Sequence, residues 1–515
     1  MKKYFIIGMV VLTVVSCGKK YLNVNVNPNS ATQTSASYIF TNGLASTARN
    51  QSGGLHITGG SWSGYYGHST SFTGGGQEKT YSFTNSDFNF FDGMYDNLAD
   101  YQYVIDHAVA DGVQHLIGPA KIMQCYVYQK LVDIYGNVPY SQALKGASFP
   151  TPAYDDAKTI YDNLVIKLTE AIADINAATF PAVEPADIYF KGNKTMWKQF
   201  ANTIKLRLFV RQSNVAGFNP TAAISAISVD GYITSPVLCQ PGYTKTTGKL
   251  NPYFVNWGFN ENDAPTGDFR KMSSVVVNWL KNSADVFRLG RICSIIANPA
   301  NDIAISNTFS DYAGVPLGGS GNAYLSSNVS GMGRMQIVKG DAARPVVVMS
   351  DAEASFLRAE LIQRGWMAGS AQTAFENGVR LAFRIAAATY TASATASAAA
   401  ADAAANSYLA SATVHADWSV STDKLKAIWV QKWVALCNID GTEAWAEYRR
   451  TNSPTNPNGL LPLPASTYSA KSVAVSLAQA EPVRFLYPLR EESVNGANVP
   501  KPINEFTSRI FWDIN

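Results

Sequence analysis

Residues 421–450 of this 515-residue chain read STDKLKAIWVQKWVALCNIDGTEAWAEYRR, and this stretch decides the fold. Its first half places large apolar side chains at steps of three and four residues, which is the pattern of a buried helix face. These residues are Leu425, Ile428, Trp429, Trp433 and Leu436. Residues 438–441 interrupt the pattern before a second helix begins. We therefore predict that a tryptophan-rich helical hairpin lies at the centre of the core.

The ends and faces of this hairpin can also be predicted. Ser421 and Thr422 are suited to cap the first helix, and Asp423 falls in its first turn, where negative charge is favoured. In the second helix, Trp445 and Tyr448 are expected to point inward. The charged residues expected to point outward are Glu443, Glu447 and Arg450. We interpret the tryptophans as packing residues, because aromatic side chains at helical spacing usually belong to the core.

The hairpin and several other segments resemble one bacterial family. The sequences QKW and EAWAEYRRT of the hairpin are similar to a late helical signature of the SusD/RagB family, the nutrient-capturing outer-membrane lipoproteins of Bacteroidetes. A second specific match is LVDIYGNVPY at residues 131–140, where a helix ends in Tyr-Gly-Asn-Val-Pro-Tyr. The matching segments, in family order, are residues 17–29, 131–140, 194–213, 350–366, 425–451 and 484–498.

The N-terminus has the features of a bacterial lipoprotein leader. Residues 1–3 are Met-Lys-Lys, and the apolar run at residues 4–15 is too short to span a bilayer, which takes about 20 residues. The following Ser16-Cys17 completes a lipobox, in which the Cys17 thiol takes up the diacylglycerol. We predict a signal peptide at residues 1–16 and a lipid-anchored mature chain at residues 17–515. Several acyl chains would hold that chain on a membrane without a spanning helix.

The rest of the chain is predicted to be mainly α-helical. Amphipathic patterns recur with turns between them, which indicates a scaffold of helical hairpins, and the resemblance implies that these are of tetratricopeptide-repeat type. Residues 17–515 are expected to form a single domain with loop-rich insertions at about 51–90 and 236–340. Residues 51–76 contain nine glycines, each of which costs a helix about 1 kcal/mol, so we predict a loop there.

The resemblance also implies a function. In this family the protein covers a SusC-like, TonB-dependent β-barrel transporter in the outer membrane and delivers an oligomeric nutrient to it. An oligosaccharide is the expected ligand, and the outer membrane, facing the cell exterior, is the expected location. Two alternatives stay open at this point: a peptide-binding relative on the same scaffold, and a structural helical-repeat lipoprotein of the envelope.

The two insertions supply the expected binding surface. Their aromatic residues are flanked by Gly, Ser, Thr and Asn, with no helical stripe to bury them. Binding residues concentrate on loops that a rigid scaffold holds in place. The predicted ligand-binding residues are Trp62, Tyr65, Tyr66, Trp257 and Tyr324. The alternative is that these rings pack the loops against the helices or face the transporter.

No sequence motif points to catalysis, a metal or a cofactor. No two of the five histidines have metalloprotease spacing, and no Gly-x-Ser-x-Gly motif occurs. The cysteines after Cys17 lack zinc spacing; Cys125 and Cys437 are interpreted as buried apolar residues, while disulfides among the four remain open. A net charge of +3 gives no reason to expect nucleic acid. We therefore expect a binding protein and not an enzyme.

Overall fold

The computed structural model describes residues 34–72, 76–227, 229–296, 305–451, 472–473 and 481–514. The predicted signal peptide and Cys17 lie outside these residues. The helices are α1 Ala36–Ser52, α2 Gly54–Trp62, α3 Gln77–Thr80, α4 Phe91–His107, α5 Ile117–Tyr135, α6 Ala157–Ala177, α7 Lys194–Arg211, α8 Thr221–Ser225, α9 Pro252–Trp257, α10 Ser274–Asn282, α11 Val286–Ile292, α12 Asp351–Gln363, α13 Ala371–Ala386, α14 Ala398–Leu409, α15 Lys424–Leu436, α16 Gly441–Thr451 and α17 Leu489–Val494. The strands are β1 Tyr66–His68, β2 Val138–Pro139, β3 Tyr154–Asp155, β4 Val237–Cys239, β5 Arg270–Met272 and β6 Val346–Met349.

The longer helices pack one on the next. α1 packs on α4, α4 on α5, α5 on α6 and α6 on α7. After the second insertion the series continues, because α12 packs on α7, α13 on α12 and α14 on α13. Helices account for 49% of the structure, so the predicted mainly α class is confirmed. The long helices α1, α4, α6 and α13 each bury an apolar face, as their sequence period predicts.

The two helices of residues 421–450 lie in the core, as predicted. α15 packs on α12 and α13, and α16 packs on α2. Trp433 is fully buried, and its indole N–H donates to the carbonyl of Ser63 at 2.9 Å. The cap differs from the prediction, because Asp423 is the N-cap. Its carboxylate accepts the backbone N–H of Lys426 at 2.9 Å, which fixes the start of α15 at Lys424.

The prediction that Glu443, Glu447 and Arg450 face outward is wrong. All three are buried and belong to a network of ion pairs. Arg211 lies 2.6 Å from Glu443 and 2.8 Å from Glu447, while Arg450 lies 2.7 Å from Glu360 and 2.6 Å from Glu447. α16 is buried on every side, and α7 and α12 supply partners of opposite charge. Because the partners come from distant segments, the charges of α16 do not mark a solvent-facing side.

The loop predicted for residues 51–76 is wrong in its first half, where α2 forms. The glycines of α2 permit a close contact instead of breaking the helix. A Cβ atom on Gly59 would lie 2.7 Å from the carbonyl oxygen of Gly441, and one on Gly441 would overlap the carbonyl oxygen of His56. The backbones of α2 and α16 therefore touch, which no other residue would allow. The tertiary contact overrides the low helix propensity of glycine.

The two insertions meet in a short antiparallel sheet. β1 from the first insertion pairs with β5 from the second, with Tyr66 opposite Met272 and His68 opposite Arg270. A second pair, β4 with β6, connects the start of the second insertion to the segment before α12. The insertions are thus anchored to the helices and to each other. Because β1 and β5 pair, the loop that follows β1 and the loop that precedes β5 lie side by side.

Candidate functional site

Four of the five predicted binding residues are buried, contrary to the exposure expected for them. Trp62, Tyr65, Tyr66 and Trp257 are each 6% exposed or less. A ring enclosed on all sides offers no face to a ligand, so we do not assign these four to a binding surface. Only Tyr324 is partly exposed.

Each buried ring has identifiable packing partners. The Trp62 ring lies 4.8 Å from that of Trp445 and 5.1 Å from that of Phe485, between centroids. The Tyr65 hydroxyl donates to the carbonyl of Trp433. These contacts attach the first insertion to the central hairpin. The sequence prediction failed because it took residues 51–76 as a loop, whereas α2 and β1 carry these rings inward.

Tyr66 belongs to a buried polar chain. The Nδ1 atom of His56 accepts the backbone N–H of Gly441 at 3.0 Å, so its Nε2 atom carries the proton and donates to the Tyr66 hydroxyl at 2.7 Å. That hydroxyl in turn donates to Oδ1 of Asn438 at 3.0 Å. Burial lowers the pKa of His56 to about 4, so the imidazole is neutral at pH 7. This chain locks α2 to the turn between α15 and α16.

An exposed surface does form where the insertions meet, but from different residues. It consists of residues 70–72 after β1, residues 268–270 at the start of β5, and residues 321–328; we call it the three-loop surface. Backbone hydrogen bonds hold the loops together. The N–H of Thr70 donates to the Tyr324 carbonyl at 2.8 Å, next to the bond from Ser69 to the Phe269 carbonyl at 2.7 Å. The surface is therefore ordered before any ligand arrives.

Aromatic rings project from the three-loop surface. Phe72 is 46% exposed, and its ring lies 5.9 Å from that of Phe269 in an edge-to-face arrangement. The guanidinium of Arg270 lies 4.4 Å from the centre of the Phe269 ring and donates to the carbonyl of Asn256 at 2.9 Å. Burial lowers the pKa of Arg270. Arg270 therefore packs against one side of the Phe269 ring, which remains partly exposed to solvent.

Polar groups surround these rings. Asn322 and Asn328 are exposed, and the amide of Asn328 donates to the Asn322 carbonyl at 3.1 Å. The carboxylate of Asp268 is held by Lys271 at 2.8 Å. Flat aromatic faces beside amides and hydroxyls suit a ligand with alternating apolar and hydroxyl faces, such as a sugar. No group of three His, Cys, Asp or Glu in the described ranges is placed to hold a metal ion.

Sequence reasoning missed Phe72 and Phe269 as binding residues. Phe72 did carry a signal, since the sequence SFTGGG leaves it next to glycines that cannot cover it. Phe269 carried no such signal, because charged neighbours such as Asp268 and Arg270 are found in many surface turns. Only the pairing of β1 with β5 places Phe269 beside Phe72.

The sequence as a whole matches one protein family. A SusD-like family model, described as starch-binding and associating with the outer membrane, matches residues 28–488. The protein belongs to the SusD-like family. The family recognised from its motifs is thereby confirmed. Members of this family are associated with the outer membrane.

Solved structures share this SusD-like fold along nearly the whole chain. A SusD homologue from Bacteroides fragilis has a TM-score of 0.71 at 21% identity, over 93% of this chain and 99% of that chain. A chitin-binding SusD homologue from Flavobacterium johnsoniae has a TM-score of 0.68 at 21% identity, over 92% of this chain and 99% of that chain. At such identities the likeness demonstrates the fold alone. The comparison with curated proteins found no match.

Two further observations concern the membrane and the cysteines of this SusD-like chain. Within the ranges that the structure describes, no helix combines the length and apolar character needed to cross a membrane. Cys125, Cys239, Cys293 and Cys437 are buried free thiols. The interpretation of Cys125 and Cys437 as buried apolar residues is confirmed. Burial raises the pKa of Cys125 to about 12, so its thiol is protonated and unreactive at pH 7.

Proposed function

We propose that this protein binds an oligosaccharide at the three-loop surface and passes it, chemically unchanged, to a SusC-like TonB-dependent transporter. The observation that carries the proposal is the contact between the exposed Phe72 and the half-buried Phe269, with Tyr324 on the neighbouring loop, where β1 and β5 pair. Family membership supports it, because the family is described as starch-binding. The ligand is expected to be a neutral glucan or a related glycan.

The small number of acidic residues on the three-loop surface is consistent with binding without catalysis. Glycoside hydrolysis uses two carboxyl groups facing each other across the bond that is cleaved, about 5 to 9.5 Å apart. The three-loop surface contains one acid, Asp268, and Lys271 already holds its carboxylate. We therefore propose a binding protein that releases the intact oligosaccharide.

Attachment to the outer membrane is proposed to occur through Cys17. The lipobox at residues 14–17 supplies the acceptor thiol, and the mature chain would begin at this residue. Lipidation would place the binding surface on the outer membrane next to its transporter. We propose that this surface faces the cell exterior, where polymeric nutrients are found.

The ligand class can be tested with the purified mature protein. Affinity electrophoresis and calorimetry would compare starch and chitin oligosaccharides with peptides of similar length. We expect one glycan series to bind with an affinity that increases with chain length, because a longer chain covers more of the aromatic surface. Binding of peptides alone would contradict the proposal and favour the peptide-binding alternative.

The proposed partner needs a separate experiment. Tagged protein would be isolated from gently solubilised membranes of its native host, and co-purifying proteins would be identified by mass spectrometry. We expect a TonB-dependent β-barrel in a stable ratio to the bait. Recovery of other envelope proteins without such a barrel would contradict the delivery role and favour a structural one.

A further inference from the structure

A cavity lies among the scaffold helices and shares no residue with the three-loop surface. It has a volume of about 450 Å³ and is lined by side chains from α4, α5 and α6 and by the loop at residues 140–145. Ligand pockets typically measure roughly 300–1,000 Å³, so the space suits one small ligand. The rings of Tyr128 and Tyr140 meet edge to face at 4.9 Å in its wall.

Two hydroxyl groups in this cavity lack protein partners. Tyr128 is only 2% exposed, yet its hydroxyl forms no hydrogen bond with any residue that the structure describes. The buried hydroxyl of Tyr140 also has no partner there. Buried polar groups are nearly always hydrogen-bonded in native proteins, so the buried hydroxyl of Tyr140 requires an explanation. Burial raises the pKa of both phenols, which therefore remain protonated donors.

Two lysines at the edge of the cavity form no ion pairs in the part of the chain that the structure describes. Lys145 and Lys167 line it, and neither forms an ion pair within the described residues. Each ammonium group instead lies near an aromatic face: Lys167 is 5.3 Å from the ring centre of Tyr140, and Lys145 is 5.5 Å from that of Phe149. Lys145 is exposed and Lys167 is half-buried, and neither has a carboxylate within ion-pair distance in the described residues. Both lysines thus remain available to an anionic ligand.

Acceptors for hydroxyl groups are present on the opposite helices. Asp106 accepts the amide of Gln102 at 2.8 Å through one carboxylate oxygen, and Gln102 accepts the amide of Gln124 at 3.1 Å. The other oxygen of Asp106 has no protein donor in the described chain. The lining therefore combines two cations, two phenolic donors and a carboxylate. This set matches a polyhydroxylated ligand that carries one negative charge.

One residue of the loop that lines the cavity has an unusual backbone conformation. Leu144 has a φ of 63°, a conformation that branched side chains rarely adopt. Strained residues of this kind cluster at ligand sites, where the surrounding structure holds them in place. Here the backbone N–H groups of Tyr140 and Ser141 donate to one oxygen of Asp155 at 2.9 and 2.8 Å. The wall is therefore preorganised.

We propose that this cavity binds a single acidic sugar residue, a uronic acid, independently of the three-loop surface. Lys145 and Lys167 pair with its carboxylate. The phenols of Tyr128 and Tyr140 donate to oxygen atoms of the sugar, and Asp106 accepts from its hydroxyl groups. The inference does not rest on the proposed transport function.

Calorimetry on the purified mature protein tests the ligand chemistry. The probes are glucuronate, its neutral counterpart glucose, and acetate, which carries the carboxylate alone. We expect glucuronate to bind at least about tenfold more tightly than the other two, because only glucuronate engages both the lysines and the acceptors. Equal binding of glucose, equal binding of acetate, or no binding of glucuronate would each overturn the proposal.

Amino-acid substitutions test whether glucuronate binds in this cavity. Lys167→Gln and Tyr128→Phe should each weaken glucuronate binding by about tenfold while the melting temperature stays near that of the wild type. The matched control is Lys158→Gln, a lysine of the same helix that pairs with Asp162 at the surface. If Lys167→Gln bound glucuronate as tightly as Lys158→Gln does, the assignment of the cavity would be wrong.

Discussion

Gly59 illustrates how one residue decides the geometry of the core. Its missing side chain lets α2 lie against the backbone of α16, so the first insertion starts from a helix packed on the hairpin. The sequence reveals the glycines but not the backbone they approach. That is why the glycine count predicted a loop where a helix forms.

This contact predicts opposite effects for two glycine substitutions. Gly59→Ala should lower the free energy of unfolding by about 1–3 kcal/mol, because its methyl group would lie 2.7 Å from a backbone oxygen that cannot move aside. Gly93→Ala in α4 is the control, since its Cβ atom would lie 4.0 Å from Oδ1 of Asn50, an ordinary contact, and it should raise stability by up to about 1 kcal/mol. Urea unfolding measures both. Equal effects of the two substitutions would disprove the close contact.

His56 predicts how stability depends on pH. Its folded pKa of about 4 lies below the unfolded value of 6.5, so between these values only the unfolded chain binds the proton. The stability contributed by neutral His56 is thus complete above pH 6.5 and is lost as the pH falls. From pH 7 to pH 5 this amounts to about 2 kcal/mol.

The measurement compares the wild type with His56→Gln by urea unfolding at pH 7 and pH 5. Glutamine retains a donor and an acceptor but does not titrate. The wild type should lose about 2 kcal/mol more than the variant over this interval. Identical pH dependence in the two proteins would mean that His56 is not buried in its neutral form.

At the scale of elements, the hairpin of residues 421–450 was largely predictable. The apolar period placed Trp433 and Trp445 correctly in the core, because a face of that width has to be buried. The charged residues of α16 were placed incorrectly. Their partners, such as Arg211 and Glu360, are far away in sequence, and an ion pair of this kind leaves no local pattern.

Trp433 should be essential for stability. Trp433→Ala is expected to lower the free energy of unfolding by about 3–5 kcal/mol, as other large-to-small core substitutions do. Its ring packs on Tyr65 at 5.2 Å, and its indole N–H is hydrogen-bonded. Tyr38→Ala, at an exposed aromatic of α1, is the control and should change stability by no more than about 0.5 kcal/mol. Wild-type melting of Trp433→Ala would refute the core assignment.

At the scale of the whole molecule, the family and the helical scaffold were predictable, whereas the candidate site was predictable only in outline. The two insertions do form the exposed aromatic surface, but its rings are Phe72 and Phe269, together with the predicted Tyr324. Local sequence cannot distinguish Tyr66, which β1 turns inward, from Phe72, six residues later and exposed. The difference arises from strand pairing between segments about 200 residues apart.

The lipid anchor gives a prediction for the whole protein in its cell. Cys17→Ala should move the protein from the outer-membrane fraction to a soluble fraction in a strain that lacks the transporter. Cys125→Ala is the matched control, because its thiol is buried in α5, and it should stay in the membrane fraction. Immunoblots of fractionated cells measure both. Retention of Cys17→Ala in the outer membrane would exclude lipidation as the anchor.

The central claim is that the three-loop surface binds the glycan, and one titration tests it most directly. The dissociation constant for the bound oligosaccharide should be measured by calorimetry for the wild type, Phe72→Ala, Tyr324→Ala and Phe149→Ala. Phe149 is the matched control, because it is 38% exposed on the loop before β3 and lies outside the surface. Phe72→Ala and Tyr324→Ala should each weaken binding by roughly tenfold, about 1.4 kcal/mol, with unchanged melting, while Phe149→Ala binds like the wild type. Wild-type affinity in both Phe72→Ala and Tyr324→Ala would contradict the account.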